Sequence, residues 1–154
     1  LTPLLLGLAL LAPLPAAAQN AEADNMRILR EKMMGDKKLI VAANMALTDA
    51  ESKAFWPIYD AYQAELQKIN EQLGTIIADY ARMHNAGKLT DARARALMDR
   101  YLGAEEAEVR LKRTFAKRLD KVLPGVKVTR YLQIENKIRA VIKYDLAATV
   151  PLVQ

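Results

Sequence analysis

Residues 49 to 83 read DAESKAFWPIYDAYQAELQKINEQLGTIIADYARM. Within this stretch Phe55, Tyr59, Tyr62, Leu66, Ile69, Leu73, Ile76, Tyr80 and Met83 recur at alternating spacings of four and three. The alternation is a heptad seam, and it predicts one long helix with a narrow apolar stripe. At about 1.5 Å per residue such a helix is a rod of roughly 50 Å, too long to be enclosed by a domain of this size. It has to lie along partners, which the rest of the chain must supply.

Both ends of the helix are marked. Thr48 is placed to cap a free backbone N–H while Glu51, three residues on, reaches back, which is a capping box. Asp49 and Glu51 also suit the positive end of the helix dipole. Asn85, Ala86 and Gly87 supply a C-cap or turn. Pro57 falls inside the helix, where it removes one hydrogen bond, and since the seam keeps its register across it the expected result is a bend. Trp56 lies one residue off the seam, either a flank of the core or an exposed aromatic. His84 is the only histidine, and at the helix end it reads as a residue favourable to the dipole.

Outward toward the N-terminus, Leu1 to Ala18 is an uncharged, Leu-rich run with Pro3, Pro13 and Pro15, closing in Ala16-Ala17-Ala18. This is the pattern of a secretory signal cleaved after Ala18, and residues 19–154 are expected to form a single soluble domain. A membrane anchor is the competing reading, disfavoured by the prolines and by a length short of about 20 apolar residues. From Asn20 to Asn44 the spacing of Met26, Leu29, Met33, Leu39, Ile40 and Ala43 predicts one helix, or two broken at Gly35. Met33, Met34 and Met45 read as adaptable packing, with copper as the alternative.

Outward toward the C-terminus, Leu89-Thr90-Asp91-Ala92 repeats Leu47-Thr48-Asp49-Ala50, which argues for two related long helices. The helix from Asp91 to about Val122 carries a seam of Leu97, Tyr101, Ala104, Leu111, Phe115 and Val122. Glu108 and Arg118 fall at seam positions, so packing there is expected to be weak or open to solvent. Glu105, Glu106 and Glu108 read as surface charge. Leu123-Pro124-Gly125 stops this helix, and Val126 to Thr149 forms another, with an apolar face of Tyr131, Ile134, Ile138, Val141 and Ile142. The tail Val150-Pro151-Leu152-Val153 either tucks onto the core or forms a sticky surface.

The net charge is +5, unevenly placed: residues 47–86 are acidic, 87–123 and 124–154 basic. Opposite signs favour pairing of the central helix with the later ones. A basic surface on an exported protein suggests acidic proteins, anionic lipid or cell-wall polymer as partners more readily than nucleic acid. Cysteine is absent, which excludes disulfides and a lipid-modified Cys tether. The aromatic share of 6% implies a thin helical core. The expected fold is all-α, an elongated antiparallel bundle of about four helices with one long bent helix.

An exported, cysteine-free helical chain with Leu-Thr-x-x-(Gln or Glu) heading its long helices resembles the Spy and CpxP family of periplasmic stress proteins, named for two Leu-Thr-x-x-Gln motifs. The first is matched by Leu47, Thr48 and Glu51, and the second by Leu89 and Thr90, with Arg93 where Gln is expected. The resemblance spans roughly residues 24–145. It implies a dimer of bent helical hairpins forming a shallow cradle. It also implies ATP-independent binding of unfolded or stress-damaged envelope proteins. Metal-sensing relatives use histidine-rich or methionine-plus-histidine sites, and a lone His84 does not fit that branch.

Catalysis is not expected, since the chain offers neither a Cys nucleophile nor a second His, and no Glu-x-x-His pair. No cofactor or metal is expected. The candidate client-binding residues are Arg110, Arg113, Lys117, Arg130, Lys137, Leu152 and Val153, catching chains first by charge and then by apolar contact. The competing function is a non-enzymatic signalling subunit that docks one folded envelope partner, such as a stress sensor kinase. A purely structural dimer is a third.

Overall fold

The computed structural model describes residues 36–153. The chain divides into two compact units, Leu1–Ile40 and Val41–Gln154, and of the first only residues 36–40 are described. The described residues are all-helical, in four helices with no strand. We label them α1 (36–45), α2 (Asp49–Asn85), α3 (Asp91–Leu119) and α4 (Gly125–Thr149). The signal run, the start of the first helix, Gly35, Met33 and Met34 lie outside the described residues.

The start of α2 follows from its capping box. The Glu51 backbone N–H donates to Thr48 Oγ1 at 3.3 Å, and the Thr48 N–H donates to Glu51 Oε2 at 2.8 Å. Its end is a Schellman turn. The Lys88 N–H reaches the Met83 carbonyl at 2.9 Å and the Gly87 N–H reaches the His84 carbonyl at 3.0 Å. Gly87 takes the left-handed φ of 63° that this turn needs. Pro57 lies inside α2 without ending it, its ring on the exposed side.

The seam works as the spacing predicts. Phe55, Tyr59, Tyr62, Leu66, Ile69, Leu73 and Ile76 are all buried, and Tyr80 and Met83 are half-buried. α3 runs antiparallel to α2: Phe115 packs on Tyr62 with ring centroids 5.4 Å apart, Ala104 lies with Ile69 and Leu73, and Arg100 reaches Asp79 at 2.7 Å. α4 then runs parallel to α2. Tyr131 sits edge-on to Phe55 at 5.2 Å, and the Tyr80 hydroxyl donates to the Pro151 carbonyl at 2.8 Å.

The main core lies where α2 begins, α3 ends and α4 begins. Val41, Met45, Phe55, Tyr59, Tyr62, Leu66, Phe115, Leu119, Leu123, Val128 and Tyr131 form one buried cluster. Met45 is thus packing, 1% exposed. Trp56 flanks the cluster, edge-on to Phe55 at 5.0 Å, with its ring N–H donating to Ser52. Lys127 ties this end together by donating to the Ala46 carbonyl at 3.0 Å and pairing with Glu51. Ala46 itself turns the chain from α1 into α2 with a φ of 47°.

Three expectations are corrected. In α3 the stripe advances by four from Phe115 to the buried Leu119 instead of following the heptad to Val122, and Tyr101 is 45% exposed; Arg118 is open to solvent as expected, over the Phe115 ring at 4.6 Å. Glu108 is not open to solvent but 2% exposed. In α4 the buried stripe is Val128, Tyr131, Glu135 and Arg139, while Ile134, Ile138 and Ile142 are only half-buried and Val141 is exposed. A charged pair occupies the positions assigned to isoleucines because α2 and α3 present polar partners there.

Candidate functional site

Two surfaces stand out, one basic and facing solvent, the other polar and buried between helices. On α3, Arg110, Arg113 and Lys117 are spaced by three and four, which puts them on one face. At 100° per residue that face is opposite the buried stripe of Ala104, Glu108 and Phe115, and all three side chains are exposed. Arg110 makes an i,i+4 pair with Glu106 at 3.3 Å, both ends well exposed, a contact worth little. On α4, Arg130 and Lys137 share the face opposite Tyr131 and Glu135 and are exposed. Arg130 is not wholly free, since its Nε donates to the Asn44 carbonyl.

N-terminal to the basic row on α3 lies an apolar one, the two meeting at Val109 and Arg110. Met98, Leu102 and Val109 recur on one flank of α3 and are 54%, 50% and 50% exposed. The tail residues Leu152 and Val153 are also exposed and do not tuck onto the core. They belong to a different level of the bundle. The tail is fixed at Tyr80, beside the Asp79–Arg100 pair, and Arg113 lies about 20 Å further along α3 at ~1.5 Å per residue. The structure therefore groups Arg110, Arg113 and Lys117, and separately Arg130 and Lys137, and sets the tail apart from the α3 basic row.

The motif residues act at helix starts. Leu47 packs half-buried on the main core, and Leu89 is half-buried. Thr48 and Thr90 are the N-caps of α2 and α3. The departure at the second motif has a physical consequence. Glu51 accepts a hydrogen bond from the backbone of its cap, which Arg93 has no acceptor to do. Arg93 instead donates through Nη1 to the Lys88 carbonyl at 2.8 Å, while its N–H bonds Thr90 Oγ1 at 3.4 Å.

The buried surface is a polar seam along α4. Gln63 of α2 donates to Tyr131 at 3.3 Å and to Glu135 at 2.9 Å. Arg139, buried, donates to Asn70 of α2 at 2.7 Å and through Nε to Glu108 of α3 at 3.0 Å. Glu108 also pairs with Lys112 at 2.6 Å, and Lys143 reaches Glu105 at 2.8 Å. Burial pushes the Glu108 carboxyl up, but the hydrogen bonds and charges of Lys112 and Arg139 outweigh it and hold the group below its ordinary value. Burial, aided by the Glu135 charge, raises the Tyr59, Tyr62 and Tyr131 hydroxyls well above theirs.

Comparison with protein-family models, with curated proteins and with solved structures finds no match. Sequence reading missed the whole seam. Its one signal was that Val128 and Tyr131 continue at helical spacing onto Glu135 and Arg139, while Glu108 holds a seam position of α3. Among the described residues there is no cluster of three or more His, Cys, Asp or Glu placed to hold a metal ion. No described helix is long and apolar enough to cross a membrane.

Proposed function

We propose that this chain is a Spy- and CpxP-like chaperone that binds unfolded or stress-damaged envelope proteins without ATP. The observation that carries the reading is the exposed basic row Arg110, Arg113 and Lys117, which continues along α3 from the exposed apolar row Met98, Leu102 and Val109. An unfolded polypeptide carries both acidic and apolar groups and lacks a fixed shape. A long surface that offers an apolar stretch followed by positive charge engages it first by steering and then by burial. Arg130 and Lys137 extend the same chemistry to α4. In this reading Leu1 to Ala18 is a signal peptide and the protein works in the periplasm. It does so as a homodimer of hairpins with α2 bent at Pro57, without catalysis, cofactor, metal or nucleic acid.

The test is light scattering of two unrelated proteins, unfolded by heat or by dilution, with and without the purified chain and with no nucleotide. Suppression of both is expected, weakened by salt and by the changes Arg113→Glu, Lys117→Glu and Arg130→Glu. No effect on either at several-fold excess would remove the general chaperone reading and direct attention to a single folded partner.

A further inference from the structure

The two halves of α4 are held by different forces. The first half joins the main core through Val128 and Tyr131, with Leu132 and Ile134 packed against it. The second half is held by Arg139 and Lys143. Beneath it lies a smaller apolar cluster of Ile69, Leu73 and Ala104, with Ala107 and Leu111 against it, all on α2 and α3. Arg139 spans these two helices at this level, donating to Asn70 on one and to Glu108 on the other. The apolar side chains of the second half are poorly used: Ile138 and Ile142 are half-buried, while Val141 and Tyr144 are 52% and 75% exposed.

The acids Glu105 and Glu108 thus rim an apolar groove, and what they grip is a basic pair at i,i+4 on a helix. We propose that this groove is a docking site for a basic amphipathic helix of another polypeptide, and that the second half of α4 occupies it in cis. The occupant is specified by the chemistry of the rim. It needs two cations one turn apart, apolar residues between them, and helical form, which is helix-in-groove recognition. The inference goes beyond the chaperone reading and has the opposite sign, since the outer face of α3 attracts acidic segments and the groove attracts basic ones. A partner helix must displace the arm, so the apparent affinity is reduced by the fraction of molecules in which the arm is open.

The probe is a fluorescent synthetic peptide with the sequence of residues 131–153, and a control peptide carrying Arg139→Glu and Lys143→Glu. The receptors are the full chain, its Lys143→Ala variant, and its Lys143→Ala, Glu105→Lys double variant, each first checked for native helix content. Lys143 and Glu105 have side chains 42% and 31% exposed, so both variants are compatible with folding. The basic peptide is expected to bind Lys143→Ala a few-fold more tightly than the unmodified chain, because the cis contact is weakened. The control peptide should fail, and Glu105→Lys added to the Lys143→Ala chain, whose arm no longer uses Glu105, should weaken binding. In the isotopically labelled chain, amides of 135–149 should lose exchange protection on peptide addition while those of 128–131 keep it. Equal binding of both peptides, equal affinity of Lys143→Ala and the unmodified chain, or unchanged protection of 135–149 would each overturn the proposal. None of these readouts depends on whether the chain suppresses aggregation.

Discussion

Tyr62 and Tyr131 are both 1% exposed, their rings 6.2 Å apart, yet their hydroxyls differ in one respect. Tyr131 accepts from Gln63, whereas the buried Tyr62 hydroxyl has no hydrogen-bond partner among the described residues. A buried hydroxyl left unpaired costs about 1–3 kcal/mol, while a satisfied one contributes about 1 kcal/mol. Tyr62→Phe is therefore expected to leave stability unchanged or raise it by about 1 kcal/mol, and Tyr131→Phe to lower it by a similar amount. Denaturant unfolding of the two variants checks the difference, and a larger loss at position 62 than at 131 would contradict it.

The helices differ in how legible they were. α2 could be read from its sequence because its seam is apolar throughout and its start and stop are local chemistry: Thr48 with Glu51, and Gly87 past the end. The stripe of α3 could be followed to Phe115 but not beyond, since a strict heptad points to Arg118 and an undistorted helix to Leu119. α4 was misread because its buried stripe turns charged, and a sequence pattern cannot show that Glu108, Asn70 and Gln63 await it on other helices. The basic row of α3 was legible for the complementary reason, that a run of cations on one helix face seeks water. This seam makes a prediction about elements. Removing one partner of a buried ion pair leaves the other uncompensated, so Glu108→Ala should cost about 3–5 kcal/mol. Replacing both, Glu108→Leu with Arg139→Met, should cost far less, and a full double-mutant cycle by thermal unfolding measures the coupling.

For the whole molecule, the titrating groups bound a pH window. Glu108 is held below the ordinary carboxylate value of 4.5, so the folded state binds fewer protons than the unfolded one near that pH. Its contribution is present above about pH 4.5 and is lost as pH falls through the lower folded value. Tyr59, Tyr62 and Tyr131 are raised from 10.0, so their contribution is present below pH 10.0 and is lost as pH rises above it. Urea midpoints should form a plateau between these limits and fall on both sides. Glu108→Gln should lower the plateau and flatten its acid edge. A midpoint that rises on acidification below pH 4 would contradict the assignment.

If, as proposed, the outer face of α3 receives non-native polypeptide, that face should crosslink to it. A photo-crosslinking residue placed at Arg113, and for comparison at Lys68 on the solvent side of α2, tests it directly in the presence of an unfolding acidic protein. The account predicts strong crosslinking from position 113, reduced by salt, with little from position 68. Equal yields at the two positions, or none at 113 while the client is held soluble, would contradict it.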